Sequence, residues 1–204
     1  MVASYWALAT EDPLSEAVGR RLLAELPGQV EAFPILRRGG REYLRARLPA
    51  LKQISRHQGV LLLTDLDRME CPLSLLKDWL DDCTKPENLL LRIPVRTVES
   101  WVLADHEAMR RLIGPKGRLP PQPDELANPK QHLLRIAQEA PRAVRADIVK
   151  LDGTRASQGI GYNARLSEWI GSTWSPSRAA QRSPSLQRAR QRLYEAHYHI
   201  TGNQ

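Results

Sequence analysis

The sequence predicts an α/β fold with a mostly parallel, four-stranded sheet flanked by helices. Two features predict it. Through residues 1–113, short apolar runs alternate with segments of helical period, strand then helix. Within that alternation, Gly59-Val60-Leu61-Leu62-Leu63 is unbroken in its apolarity and ends abruptly in Thr64-Asp65-Leu66-Asp67. A short aliphatic run bounded by glycine reads as a central strand buried on both faces, the environment of a parallel sheet. No internal repeat is visible.

Taken in order, Ser4–Thr10 is the first strand, and Glu11-Asp12-Pro13-Leu14-Ser15-Glu16 turns the chain into a helix. Proline suits a first helical turn, and the macrodipole favours acidic residues there. Residues 17–26 carry Val18, Leu22, Leu23 and Leu26 at helical spacing, and Pro27-Gly28 stops them. Val30–Leu36 is the second strand, followed by a basic turn, Arg37-Arg38-Gly39-Gly40-Arg41. A helical region over 43–57, interrupted near Pro49, leads into the central strand. Beyond Asp67, Cys71-Pro72 opens a helix to about residue 82, and 88–95 is the fourth strand, ended by Pro94. Val98, Trp101, Val102, Met109, Leu112 and Ile113 then mark one helix over 98–113.

From Gly114 the character changes. Residues 114–129 are proline-rich and lack a period, so they read as a long loop. A helix is expected over 129–140, an irregular segment over 147–161, and helices over 162–169 and 185–197. The chain therefore divides into an α/β core, 1–113, and a basic, loop-rich and helical C-terminal extension, 114–204, packed on it.

Charge narrows the partners. The 204 residues carry a net charge of +7, which favours an acidic partner such as DNA or RNA. Between 142 and 192, nine arginines and Lys150 face only Asp147, Asp152 and Glu168. That pattern serves either a solvated basic surface or a face that grips phosphate. The two cysteines, Cys71 and Cys83, lack histidines at metal spacing, which argues for a reducing compartment and against zinc. The first ten residues have no basic leader region and run into Glu11-Asp12, so no signal peptide is expected. No run approaches membrane-spanning length. A soluble, cytoplasmic protein without a membrane partner is expected.

The chemistry is expected at the strand ends, because parallel α/β sheets bind ligands beyond their carboxyl edge. Asp65 and Asp67 lie just past such an end, and the two-residue period of a strand directs both to one side. Glu11 closes the first strand and Glu99 follows the fourth. Carboxylates meeting there repel unless a cation stands between them, and Mg2+ or Mn2+ matches an all-oxygen donor set. Two such ions can activate a water and steady a leaving oxygen in phosphodiester cleavage. Glu16, a helical turn beyond Glu11, is placed either to add a ligand or to cap its helix. Charge developing on a phosphate also calls for a cationic side chain. Lys150, before a glycine-containing loop, is the first candidate, and Lys130 in Asn128-Pro129-Lys130 is the second.

Other chemistries lack their motifs. No glycine-rich loop is followed by Lys-Ser or Lys-Thr, so no intrinsic ATPase is expected. There is no Gly-x-Ser-x-Gly elbow. The histidines His57, His106, His132, His197 and His199 form no metal pattern.

A glutamate after the first strand and an Asp-x-Asp after a later buried strand resemble the Toprim domain, a metal-binding Rossmannoid fold. It serves topoisomerases, primases and the overcoming-lysogenization-defect nucleases. Thr10-Glu11-Asp12-Pro13-Leu14-Ser15-Glu16 is similar to its glutamate loop, with Asp12 where a glycine is usual. Leu63-Thr64-Asp65-Leu66-Asp67-Arg68 is similar to its Asp-x-Asp segment. The stretch from Arg96 through Val98-Glu99-Ser100-Trp101-Val102-Leu103-Ala104-Asp105 resembles the Glu-x-Trp-x-Leu-Ala-Asp segment of a small bacterial Toprim-like family. Some of its members are encoded beside AAA-type ATPases in phage-defence or abortive-infection loci. Residues 161–166 and 184–189 are similar to that family's tail.

The resemblance spans nearly the whole chain. It implies a Toprim-like core with Glu11, Asp65 and Asp67 as metal ligands, and Glu99 completing a second metal site. It also implies an AAA- or ABC-type ATPase as a partner. Trp101, at helical spacing with Val98 and Val102, is read as core rather than as a platform for bases.

The leading expectation is thus a Mg2+-dependent nuclease in which Glu11, Asp65, Asp67 and Glu99 hold metal and Lys150 steadies the phosphate. A non-catalytic subunit that docks nucleic acid or serves an ATPase competes with it. A nucleotidyl or phosphoryl transferase on small substrates is a third reading, and predicts a closed pocket rather than an open basic groove. DNA versus RNA, and the oligomeric state, stay open.

Overall fold

Four parallel strands form the central sheet: β1 (Ser4–Thr10), β2 (Val30–Leu36), β3 (Gly59–Leu63) and β4 (Leu89–Arg92). Their spatial order is β2-β1-β3-β4. The computed structural model describes residues 4–36, 40–67, 69–80, 86–152 and 155–202. The basic turn at 37–39, Arg68, the far end of the helix expected to reach residue 82, and Cys83 lie outside the described residues.

The inner strands are apolar on both faces because both faces are covered. Trp6, Leu8, Leu61, Leu63 and Leu90 enter one core cluster, while Ala7, Ala9, Val60, Leu62, Leu89 and Leu91 enter another. This is the two-residue period of a strand, resolved into two cores. Helix α1 (Pro13–Leu23) covers the first face. Helices α2 (Gly40–Ala46), α3 (Leu48–Ile54) and α4 (Pro72–Leu80) cover the second through Leu44, Leu48, Leu51, Leu75 and Trp79.

Handedness explains the division. The step from β1 to β2 runs one way across the sheet, and the steps from β2 to β3 and β3 to β4 run the other way. Right-handed crossovers then place α1 on one face and α2, α3 and α4 on the opposite face. The reversal falls between β1 and β3, so that is where a parallel sheet opens its ligand crevice.

Several helices differ from their expected bounds. α1 starts at Pro13 because Asp12 caps it, accepting the Ser15 N–H at 2.9 Å, and Pro13 fits the first turn. The region over 43–57 is two helices, parted at Arg47 just before Pro49. The segment 98–113 is also two, α5 (Glu99–Ala104) and α6 (His106–Ile113). Asp105 leaves helical dihedrals between them, and its carboxylate caps α6 through the Ala108 N–H at 3.2 Å.

Beyond residue 113 the chain is irregular up to a 3-10 turn at Pro123–Glu125, then forms α7 (Pro129–Ala137). The irregular segment expected next holds regular structure instead. The end of α8 (Arg142–Ile148) passes into an antiparallel hairpin of β5 (Val149–Asp152) and β6 (Arg155–Gln158). Val144, Ile148, Val149 and Ala156 anchor these short pieces in the first core. Tertiary burial, rather than a period long enough to read, sustains them. Then come α9 (Tyr162–Ser172), α10 (Pro176–Ala179) and α11 (Pro184–Gly202).

The C-terminal helices close over the α1 face. Leu166, Trp174, Leu186 and Leu193 share a single apolar cluster with Val18, Trp101 and Met109. Polar contacts lock the packing: Trp101 Nε1 donates to Ser185 Oγ at 2.7 Å, and Arg190 pairs with Glu25 at 2.7 Å. Trp101 is fully buried core. Among the described residues, no helix is long and apolar enough to cross a membrane.

Candidate functional site

Thr10 of β1 lies opposite Leu63 of β3, so the next residues, Glu11 and Thr64, emerge side by side. The Thr64 hydroxyl donates to Glu11 Oε1, and the Asp65 N–H donates to the same oxygen at 3.1 Å. Asp65 Oδ1 accepts the Val98 N–H at 2.9 Å, tying the β3 loop to the segment after β4. Glu99 follows in the first turn of α5, 4 % exposed, and accepts the Tyr162 hydroxyl at 2.8 Å. Among the described residues, no hydrogen bond reaches the other oxygen of Glu11, Asp65 or Glu99. None of those oxygens is sealed from solvent.

These groups act on one another. Burial pushes the Asp65 carboxyl well above the usual aspartate range, and Glu99, Glu11, Asp12 and Asp67 push it further. Burial also raises Glu11, against the Thr64 and Asp65 hydrogen bonds that lower it, with Asp67 and Asp12 adding to the rise. Tyr162 is held well above its ordinary value by burial and by Glu99. The four charged groups acting on Asp65 are all anions, so proton or cation binding relieves the cluster.

Asp67 stands further out, exposed, with φ 49°. Arg96, on the loop after β4, has φ 66°. Both are in the left-handed region that non-glycine residues rarely adopt, and the two loops clasp each other. The Asp67 N–H donates to the Arg96 carbonyl at 2.8 Å, and Arg96 Nη1 donates to the carbonyls of Asp67 and Met69 at 3.2 and 3.0 Å. Backbone strain held this firmly is typical of functional loops. Beside it lies a cleft of about 620 Å³ lined by Arg41, Asp67, Arg96, Thr97 and Asn128, with Arg41 3.8 Å from the Asp67 carboxylate.

The remaining candidates divide. Glu16 is buried one turn into α1 and ion-paired with Arg20 at 2.8 Å. Lys130 approaches the cluster, its ammonium 5.3 Å from the centre of the Tyr162 ring. Lys150 occupies the exposed side of β5, opposite Ser157 in the hairpin. Two participants were missed in the sequence. Asp12 had a signal, since a residue just before proline at a helix start is a cap. Tyr162, 63 positions from Glu99, had none.

Among the described residues, no three His, Cys, Asp or Glu side chains form a ready ligand cage. The donor chemistry fits a hard divalent cation nonetheless: the donors are all oxygen, they repel one another, and three carboxylates each keep an unengaged oxygen. Fold and site together define an α/β protein with an acidic cluster at the reversal point of an all-parallel sheet. Comparison with protein-family models, curated proteins and solved structures returned no match.

Proposed function

We propose that the protein is a Toprim-type, divalent-metal-dependent nuclease that hydrolyses phosphodiester bonds in DNA or RNA. The observation that carries this reading is the meeting of Glu11, Asp65 and Glu99, from three different strand ends, in one electrostatically coupled cluster. With Asp67 they are the residues that would hold Mg2+ or Mn2+. Such an ion, when bound, activates water and offsets charge on a phosphate.

The chain's own residues prepare the site. Thr64 and the Asp65 N–H fix the Glu11 carboxylate, the Val98 N–H fixes Asp65, and Tyr162 orients Glu99. Arg41 and Arg96 line the cleft next to Asp67, where a phosphodiester would meet positive charge. Lys130 is better placed than Lys150 to steady that charge, because its contact runs through Tyr162 to Glu99. The order of glutamate loop, Asp-x-Asp and Glu-x-Trp segments supports the Toprim assignment, and the last of these supports coupling to an AAA- or ABC-type ATPase in phage defence.

One observation favours a second reading. Glu11, Asp65 and Glu99 already engage protein donors and form no ready cage, as suits a non-catalytic subunit that docks nucleic acid or an ATPase. Calorimetric titration of Mg2+ and Mn2+ into wild type and Asp65→Ala/Asp67→Ala, beside cleavage of plasmid and RNA, separates the two. The nuclease reading expects binding to vanish in the double variant and cleavage to fall about a hundredfold or more, the scale of a lost electrostatic stabiliser. Metal binding without cleavage points to a missing partner or a different substrate. No metal binding at millimolar concentration, with nucleic acid present, rules out the nuclease.

A further inference from the structure

A second groove, of about 790 Å³, lies between the start of α4, the end of β4 and α11. Leu73, Leu76 and Ile93 give it apolar surface, and Leu73 is 68 % exposed. Arg92, Arg188 and Arg192 line it as well. The carboxylate that lines the groove with them, Glu195, is already held by Arg192 at 2.9 Å and by the Gln191 amide at 3.0 Å. Arg92 is the informative residue. Its Nε is buried and, among the described residues, has no hydrogen-bond partner. Burial and repulsion from Arg192 bring its pKa down to about 10, with Glu195 opposing. A guanidinium partly withdrawn from water and flanked by a second arginine favours an anion in the groove beside it.

We propose that this groove is a nucleotide phosphate site: Arg92, Arg188 and Arg192 grip the phosphate oxygens, and Leu73, Leu76 and Ile93 receive the attached base. Phosphate suits it better than a carboxylate. One arginine fork saturates a two-oxygen anion, whereas phosphate offers oxygens to several forks arriving from different elements. The site needs neither metal nor cleavage, so it stands apart from the nuclease reading. The phosphate can belong to a free nucleotide or to a nucleic-acid strand.

The test is calorimetry on the full chain in EDTA with three probes: inorganic phosphate, AMP, and a short single strand lacking terminal phosphates. AMP binding in competition with phosphate, without strand binding, assigns a free-nucleotide site. Strand binding without AMP assigns a track for backbone phosphates. In either case Arg188→Ala and Arg192→Ala, both exposed and safe for the fold, each weaken binding about tenfold, the worth of a charge-assisted contact. Arg92→Gln does the same. Two results overturn the proposal: no binding of any probe at millimolar concentration, or affinity unchanged in the Arg188→Ala/Arg192→Ala double variant.

Discussion

Asp65 sits where burial and its neighbouring carboxylates all favour the protonated form. Between the ordinary aspartate range and its raised value, the native state keeps a proton that the unfolded chain releases. Stability therefore falls as pH rises through that window and levels off above it. Glu11 contributes in the same direction. Asp65→Asn keeps an oxygen for the Val98 N–H and has no charge to acquire. In EDTA it is expected to melt about 2–4 °C above wild type at mildly alkaline pH, the shift that about 1 kcal/mol gives a chain of this size, and to show no gain in acid. Scanning calorimetry at both pH values checks this; an equal gain at both would remove the electrostatic account. At this scale the sequence was partly legible. That Glu11, Asp65 and Asp67 follow strand ends could be read because an apolar run stops there. The Tyr162 contact with Glu99 could not, because it depends on how α9 docks.

Among the elements, β3 is the most constrained by packing. Its first residue, Gly59, pairs with Trp6 across β1, and a Cβ there would meet the Trp6 ring at 2.4 Å. That ring is fully buried. Gly59→Ala is expected to destabilise by about 1–3 kcal/mol, the usual penalty of overpacking a core. Gly171→Ala in α9 meets nothing within 4 Å and is expected to be neutral or to stabilise by about 0.4–1 kcal/mol. Urea unfolding of both variants tests the contrast, and equal effects would refute it. The strands were legible for the same reason they are rigid: with both faces apolar, β3 has no competing reading. Helix breaks were harder to see. Asp105 interrupts 98–113 without disturbing the spacing of Val102, Met109 and Leu112, because a cap changes dihedrals and not hydrophobic period. The hairpin of β5 and β6 was invisible because four-residue strands hold too little alternation to stand out.

For the molecule as a whole, the division at residue 113 describes sequence character better than it describes packing. Asp105, 0 % exposed, accepts two hydrogen bonds from Arg178 at 2.9 and 2.8 Å and one from the Ser175 N–H at 2.8 Å. Arg21 of α1 donates to the Trp174 carbonyl, and Trp174 Nε1 donates to the Trp101 carbonyl. Tyr194 donates to the Glu25 carbonyl at 2.7 Å. None of these links joins neighbours in sequence, so the way the C-terminal part packs on the core cannot be read along the chain. Removing residues 114–204 would expose Trp101, Met109 and the outer side of α1, and would leave the Asp105 carboxylate without its guanidinium. A fragment of that size would also bury a smaller share of its surface, where stability is already marginal. The full chain is therefore expected to unfold in one cooperative transition, and a 1–113 fragment to lack the near-ultraviolet circular dichroism of packed tryptophans. A cooperative melt by the fragment alone would make 1–113 an autonomous domain. The acidic cluster would then have to be stable without Tyr162, and Glu99 would hold its place without the hydroxyl that now orients it.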